Sequence, residues 1–241
     1  MENSRLENEI EFGKRISEEA ENIWGWTTPA GKLRATRRAN YFIEEGGYSA
    51  SDKLLEIGCG TGIFTEKVFE ATRADIMAID ISQHLLDQAK EKMPEVKFQI
   101  EDAMNLSFQD NAFNGVYGSS ILHHLEMNKA MKEIHRVLIP GGKAVFAEPN
   151  MLNPQIFMER NVDYIRRKAN NSPDETAIVR WEMKSLMKSI GYKNVRVFPY
   201  DFLHPATPPV IIGLVNGIGR IVEKIPLMKE IAGSVIIYGE K

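Results

Sequence analysis

Short apolar runs alternate with helical patterns between about residue 52 and about residue 200. This alternation is typical of strands joined by crossover helices, so it predicts a parallel sheet. The first few runs are apolar at nearly every position, as expected for strands that are buried on both faces. The predicted strands are Lys53–Ile57, Ile76–Ile79, Val96–Ile100, Gly115–Tyr117, Ala144–Phe146, Val195–Phe198 and Val235–Tyr238.

Helices are predicted between these strands, and several of their ends are marked. Ser82 is expected to cap the helix that follows it, and Gly191 is expected to end a helix over Trp181–Ile190. Another helix is predicted over Met131–Leu138. The Pro140-Gly141-Gly142 sequence predicts a turn that separates this helix from the next strand.

The composition of the chain indicates which binding partners and which cellular compartment to expect. The chain has 241 residues, of which 43% are hydrophobic and 26% charged, enough for one sizeable core. Its net charge of −3 includes no dense basic block, so a nucleic-acid partner is not expected. The lone Cys59 excludes an internal disulfide, and the acidic, polar start has no signal-like segment, so we predict a cytoplasmic protein. Val210–Val222, the longest apolar stretch, is too short to span a bilayer.

The first predicted strand runs directly into a loop with glycine at every second position: Gly58, Gly60 and Gly62. Glycine lets a backbone approach a ligand closely and adopt positive φ at little cost. A dinucleotide-binding loop needs a third glycine where this chain has Ile63, and no Gly-Lys-Ser/Thr phosphate loop is present. The spacing therefore disfavours a pyrophosphate ligand.

Acidic residues follow the first three predicted strands. Glu56, at the end of the first, would repel a phosphate but stabilise the ammonium group of a methionine moiety. Asp80, at the end of the second, is expected to accept hydrogen bonds from ribose hydroxyls. The third strand ends at Glu101-Asp102-Ala103.

Together with the Tyr117–Leu125 stretch, these motifs resemble the class I S-adenosylmethionine-dependent methyltransferases of the small-molecule, type 11-like kind. The resemblance covers roughly residues 50 to 150. It implies a Rossmann-like α/β fold with S-adenosylmethionine as cofactor. It also implies a seven-stranded, mostly parallel sheet with helices on both faces, in which an antiparallel seventh strand lies between the fifth and the sixth.

The resemblance also implies roles for the matching residues. The glycine loop and the first acid would hold the methionyl part, the second acid the ribose, and the Asp-Ala pair would flank the adenine. The predicted cofactor-binding residues are Glu56, Gly58, Gly60, Gly62, Asp80, Ile81, Asp102, Ala103 and Ser119.

Methyl transfer from a sulfonium is a direct displacement, so the protein must align the reactants and, for a weakly acidic acceptor, remove a proton. His123 and His124 are the candidate bases, with Tyr117 and Glu148 as weaker ones. Adjacent histidines on a helix are expected to point to different sides, so that one lines the site. Because no third ligand is spaced with them, no metal site is predicted. Cys59 is interpreted as structural.

We predict one domain over residues 1–241: an N-terminal helical arm or lid over 1–50, a cofactor-binding core over 51–150, a cover insertion over 151–177, and C-terminal helices and strands over 178–241. The arm carries Trp24 and Trp26, which would either close over the site or fill the core. In the insertion, arginines could meet an anionic acceptor. The insertion residues singled out are Phe157, Arg160, Tyr164, Arg166 and Arg167.

Apolar residues at helical spacing between Val210 and Ile225 predict an amphipathic helix. One interpretation is that it packs on the domain or on a dimer partner. The other is that it covers a lipid-like acceptor or rests on a membrane surface, although its few basic residues weigh against the membrane version.

The resulting prediction is a methyltransferase acting on a small-molecule acceptor, including hydrophobic or lipid-linked ones, with O-methylation slightly preferred over N or C. A non-catalytic S-adenosylmethionine-binding protein is the alternative, and an RNA or protein methyltransferase is less favoured. An amino-methylating nucleic-acid enzyme would carry an Asn-Pro-Pro-Tyr-like motif where this chain has Gly118-Ser119-Ser120-Ile121. No nucleic-acid partner or transmembrane segment is expected, and the protein is predicted to be a monomer or a homodimer.

Overall fold

The computed structural model describes residues 11, 13–15, 19–162, 164–165 and 176–241. Strands and helices alternate along this part of the chain. The strands are β1 (Lys53–Ile57), β2 (Asp75–Asp80), β3 (Lys97–Ile100), β4 (Phe113–Ser119), β5 (Leu138–Pro149), β6 (Lys193–Tyr200) and β7 (Ser234–Glu240). The helices are α1 (Ala20–Ile23), α2 (Pro29–Gly46), α3 (Ile63–Thr72), α4 (Gln83–Lys92), α5 (Met127–Val137), α6 (Pro154–Asn161), α7 (Arg180–Ile190) and α8 (Ile212–Val222), with 3₁₀ turns at Leu122–His124, Pro209–Ile211 and Met228–Ile231.

The strands form one sheet in the order β3-β2-β1-β4-β5-β7-β6. The β1, β2, β3, β4 and β5 strands pair in parallel, whereas β7 runs antiparallel between β5 and β6. This topology confirms the predicted Rossmann-like sheet and the place of its antiparallel strand. Because parallel strands end at the same edge, the loops after β1, β2 and β4 meet there, where open α/β sheets bind ligands.

Two apolar clusters cover the two faces of the sheet, which confirms the prediction of helices on both sides. On one face, α2, α3 and α4 contribute buried residues such as Phe42, Val68 and Leu86. On the other face, α5 and α7 contribute Ile134 and Met187. The sheet is therefore held as a rigid layer from which the loops at its carboxyl edge project.

Helix α2 is part of this core, although it lies in the predicted arm. Pro29 occupies its first turn, and the side chain of Thr28 accepts a hydrogen bond from the Gly31 N–H at 2.9 Å. Gly47, in the left-handed conformation with φ of 64°, ends the helix. The face that carries Phe42 is buried against the sheet.

Two predicted features near helix ends were wrong in detail. The Pro140-Gly141-Gly142 sequence does not precede the strand but lies within β5, which begins at Leu138 directly after α5. Lys241 exchanges backbone hydrogen bonds with Gly141 and Gly142, and this holds the segment in the sheet. Ser82 does precede α4, but its side chain makes no capping hydrogen bond.

Candidate functional site

The loops at the carboxyl edge surround a cavity of about 360 Å³, within the size range of small-ligand sites. Most of the predicted cofactor-binding residues lie on its wall. They are Gly58, Gly60, Asp80, Ile81, Asp102, Ala103 and Ser119.

All three glycines of the loop adopt the left-handed region. Gly58 has φ of 67° and Gly60 has φ of 53°. A Cβ atom on Gly58 would lie 2.5 Å from Cγ1 of Ile121, and one on Gly60 would lie 3.1 Å from the Trp24 ring. Larger residues would therefore be strained and would crowd the cavity wall at this position.

Gly62 and Glu56 lie outside the residues that line the cavity. Gly62 precedes α3 as its N-cap with φ of 83°, and a Cβ atom there would lie 2.5 Å from the Met93 methyl group, so both its backbone conformation and its packing favour glycine. Glu56 is buried behind the loop, where the Tyr117 hydroxyl donates to it at 2.9 Å. Burial raises the pKa of Glu56 to about 8, against the lowering effect of the hydrogen bond from Tyr117. Both residues therefore lie behind the cavity wall, and their predicted contact with the cofactor stays a prediction.

Asp80 stands at the end of β2 and organises the loop as well as the cavity. One carboxylate oxygen accepts from the Gly60 N–H and the other from the Ser82 N–H, both at 2.9 Å. Burial raises its pKa, against the lowering effect of these backbone donors. A carboxylate has about four lone-pair sites, so two bonds leave it capacity for a ligand hydroxyl.

Ser82 is a cavity residue that the sequence analysis assigned only to a helix cap. Its Oγ atom is buried and has no hydrogen-bond partner within the described part of the chain. An unpartnered buried hydroxyl costs free energy, so a polar ligand atom beside Asp80 would satisfy it. The Asp-x-Ser spacing after β2 was the available signal.

The wall after β3 is formed by Asp102, Ala103 and Met104. The Asp102 side chain accepts from the Met104 N–H at 2.8 Å, which fixes the turn. Ala103 is buried and small, and Met104 adds a soft apolar surface. This combination suits a flat, weakly polar ring.

His123 and His124 both line the cavity, contrary to the expectation that they point to different sides. They end a 3₁₀ turn rather than sit within an α-helix, and their rings stack with centroids 4.2 Å apart. The tighter turn brings the two rings to the same wall.

Glu148 holds the His123 ring. Its Oε2 atom lies 2.6 Å from His123 Nδ1, and its other oxygen accepts the Ile121 and Leu122 N–H groups at 2.9 Å each. Burial alone would raise the pKa of Glu148, but the hydrogen bond and charge of His123, with the backbone donors, hold that pKa below its usual range. An ionised carboxylate only accepts, so Nδ1 of His123 carries a proton, and in the neutral form of the ring the lone pair is on Nε2.

The two weaker base candidates, Glu148 and Tyr117, lie behind the cavity wall. Neither Glu148 nor Tyr117 is among the residues that line the cavity, and both are buried. Burial raises the pKa of Tyr117 far above its ordinary value, and its hydroxyl donates to Glu56. Sequence reasoning missed that Glu148 positions His123, because the two residues are 25 positions apart in the chain.

Arg38 on α2 supports the cavity from behind. It is 2% exposed and donates to the hydroxyls of Ser119 and Ser120 at 2.8 and 2.9 Å, and also to Tyr200 and Ser234. Because both serine oxygens accept from Arg38, their own hydroxyl hydrogens can be directed into the cavity. The wall after β4 therefore offers hydrogen-bond donors backed by a buried positive charge.

The arm reaches over the glycine loop. Trp24 and Trp26 line the cavity, and Thr61 donates to Glu21 at 2.9 Å while Lys92 pairs with the same carboxylate. Both tryptophans are partly buried, so the arm covers the site and also packs on the body.

The remaining predicted positions fall into three groups. Arg160 on α6 lines the cavity, Phe157 and Tyr164 are exposed, and Arg166 and Arg167 lie outside the described residues. Burial raises the pKa of Cys59, so it remains a neutral thiol, in keeping with a structural role. Among the described residues, no group of three or more His, Cys, Asp or Glu side chains is arranged to hold a metal ion.

Comparisons with known proteins agree with this geometry. Residues 55–146 match the family model of the methyltransferase domain. An O-methyltransferase of Penicillium expansum is 33% identical over 134 residues, which cover 51% of this chain and 49% of that protein. A demethylmenaquinone methyltransferase of Staphylococcus aureus is 28% identical over 182 residues, which cover 64% of this chain and 73% of that protein.

The chain thus spans about half the length of the Penicillium relative. A solved structure of a methyltransferase from Thermotoga maritima, described as a possible histamine N-methyltransferase, superposes with a TM-score of 0.67 and 18% identity, over 96% of this chain and 99% of that one. Residues 55–146 thus form a methyltransferase domain, and the strand order with its antiparallel β7 and the glycine loop beside Asp80 agree with the predicted class I S-adenosylmethionine-dependent methyltransferases.

Proposed function

We propose that this protein transfers a methyl group from S-adenosylmethionine to a hydroxyl group of a small, largely apolar acceptor. The observation that carries the proposal is the 2.6 Å contact by which buried Glu148 holds the ring of His123 on the cavity wall. A histidine held in this way is suited to take a proton from an acceptor hydroxyl.

The residues on the cavity wall fit the cofactor. The spare lone pairs of Asp80 and the unpartnered Ser82 hydroxyl suit the ribose, and the Asp102-Ala103 turn suits the adenine. Ser119 and Ser120, backed by Arg38, would donate to the methionyl carboxylate. Gly58 and Gly60 leave room for this end of the ligand, while Glu56 and Gly62 would act from behind the loop by shaping it.

When bound, S-adenosylmethionine supplies a methyl group activated by a positively charged sulfur. The chain's own task is to orient the acceptor and remove its proton. The acceptor O–H bond breaks as its proton passes to Nε2 of His123, and the oxygen forms a bond to the methyl carbon. The electron pair of the carbon–sulfur bond stays on sulfur, so no covalent enzyme intermediate is needed.

The acceptor class follows from the rest of the wall. Ile23, Trp24, Trp26, Ile121 and Leu125 give the cavity a mainly apolar lining beside the histidines. Such a lining buries aromatic or aliphatic surface and excludes water from the reacting atoms. The name of one curated relative, an O-methyltransferase, supports a hydroxyl acceptor, and the name of the other, a demethylmenaquinone methyltransferase, supports an apolar one.

The test is transfer from methyl-labelled S-adenosylmethionine to catechol and to naphthohydroquinone, with benzylamine as the matched amine. We expect label in the two hydroxyl acceptors. His123→Gln should lower kcat by about 10² to 10⁴, the usual contribution of a general base, and leave cofactor affinity unchanged. His135→Gln, on α5 against Tyr192, is the control.

Label in the amine alone would contradict the proposed acceptor atom. Cofactor binding without transfer to any acceptor would favour the alternative of a non-catalytic S-adenosylmethionine-binding protein. Equal activity in His123→Gln and His135→Gln would remove the proposed base.

Other predictions from the sequence remain predictions. They are the cytoplasmic location, the monomeric or homodimeric state, the absence of a nucleic-acid partner and the division of residues 1–241 into arm, core, insertion and C-terminal part. Within the described residues, no helix is long and apolar enough to cross a membrane.

A further inference from the structure

Helix α8 is attached to the body by its small and polar side. Gly219 is the buried residue of α8, and a Cβ atom there would lie 3.1 Å from Cβ of Phe202. Glu223, directly after the helix, accepts from Arg37 and from the Asp201 N–H, both at 2.8 Å. The Arg37–Glu223 ion pair thus fixes which face of α8 turns inward.

The apolar residues of α8 and its flanks point outward. They recur three or four positions apart, which places them on one face of a helix. Their exposed fractions are 65% at Leu214, 53% at Ile218 and 64% at Ile221. The outer apolar stripe consists of Val210, Leu214, Ile218, Ile221 and Ile225. A helix that packs only on its own domain turns its apolar face inward and its polar face to solvent. The outward position of this stripe therefore indicates a binding surface for a partner outside the domain.

The acidic and basic side chains of the same segment differ in whether they are ion-paired. Glu223 and Glu230, the acids between residues 209 and 231, are ion-paired to the body through Arg37 and Arg180. Arg220 and Lys224, one helical turn apart, are exposed and form no ion pair within the part of the chain that the structure describes. The outward surface therefore combines apolar side chains with positive charge.

We propose that the outer apolar stripe docks α8 onto an anionic lipid bilayer, lying in the plane of its interface. Apolar side chains would enter the acyl boundary while Arg220 and Lys224 meet anionic headgroups. With 11 residues, α8 is about 16 Å long, which suits lying on a bilayer rather than crossing it.

A second copy of the chain fits this surface less well. A two-fold contact brings the same patch of both subunits together. Arg220 and Lys224 of one copy would then approach the same cations of the other, and the acids of the segment are already paired inward. A bilayer takes the apolar and the cationic parts of the surface together.

The test is co-sedimentation of the full chain with vesicles of phosphatidylcholine alone and with about one third phosphatidylglycerol. We expect binding to the anionic vesicles that weakens in high salt, because the Debye length falls to about 3 Å at 1 M. Leu214→Ser/Ile218→Ser should weaken binding about tenfold or more, and Arg220→Gln/Lys224→Gln should abolish the preference for anionic lipid. Ile100→Ser, at a side chain 50% exposed on the edge strand β3, should bind as the unchanged protein does.

All these residues are exposed, so circular dichroism should show each variant folded. The proposal would be overturned if the protein did not bind the anionic vesicles. It would also be overturned if Leu214→Ser/Ile218→Ser bound them as strongly as the unchanged protein. A dimer in sedimentation velocity that dissociates in that double variant, without vesicle binding, would instead identify a second copy as the occupant. The readout needs neither cofactor nor acceptor, so it is separate from the test of the proposed activity.

Discussion

Replacing Glu148 with glutamine would test how the His123 ring is held. The side chain keeps its shape, and its carbonyl oxygen can still accept from the Ile121 and Leu122 N–H groups. Its amide nitrogen would then face His123 Nδ1 as a donor. Because two donors cannot pair, the ring is expected to shift its proton to Nε2 and present the wrong atom to an acceptor.

The loss of stability expected for Glu148→Gln follows from the burial and the short distance of the His123–Glu148 contact. The His123 and Glu148 side chains are 4% and 0% exposed, and the atoms they bring together are 2.6 Å apart. A hydrogen bond to a charged group contributes about 1.5–3 kcal/mol, so the free energy of unfolding should fall by roughly that amount at pH 7. Loss of the base should lower kcat by about 10² to 10⁴.

Long-range ¹H–¹⁵N NMR of the histidine rings reads the tautomer directly, and the His123→Gln spectrum assigns the signal. The unchanged protein should carry the proton on Nδ1, Glu148→Gln should carry it on Nε2, and Glu70→Gln, on the exposed side of α3, should change nothing. A ring protonated on Nε2 in the unchanged protein, or the same tautomer in Glu148→Gln, would refute the reasoning.

Two further predictions concern buried groups near the cofactor loop. The pKa of Glu56, raised to about 8, means that the folded state keeps a proton that the unfolded state releases above its ordinary pKa of 4.5. Stability should therefore fall between about pH 5 and pH 8, by up to about 1.4 kcal/mol per pH unit. Urea unfolding of Glu56→Gln should show a flatter pH dependence, and an unchanged slope would contradict the assignment. Gly58→Ala adds a contact of 2.5 Å with Ile121 to its positive φ, whereas Gly141→Ala has a positive φ and nothing within 4 Å. The first should lose about 1–3 kcal/mol more than the second in urea unfolding, and equal losses would refute the steric argument.

The sequence predicted the sheet well because its signals are local. The β1 strand was placed with its observed ends, and the glycine loop and Asp80 follow directly from the ends of β1 and β2. Apolar runs, turn residues and loop spacing all act within a few positions of the chain. The start of β5 was missed because it depends on the pairing of Leu138 with Phe113 on β4, a contact that leaves no local pattern in the sequence.

The site was only partly predictable for the same reason. His123 could be named as a base, but Glu148 was recognised as its partner only once β5 was placed beside the 3₁₀ turn. The spacing of residues 210–225 predicted an amphipathic helix without showing which face turns outward. The ion pair between Glu223 and Arg37, 186 positions apart, settles that question.

Calorimetric titration with S-adenosylmethionine is the most direct measurement of the central claim, using the unchanged protein, Asp80→Ala and Asp75→Ala. Asp80 and Asp75 lie at opposite ends of β2, and Asp75 pairs with Lys97 on the surface, away from the cavity. We expect binding on the order of micromolar that Asp80→Ala abolishes and Asp75→Ala retains. A folded, unchanged protein that does not bind S-adenosylmethionine, or equal affinity in all three proteins, would contradict the assignment of this cavity as the cofactor site.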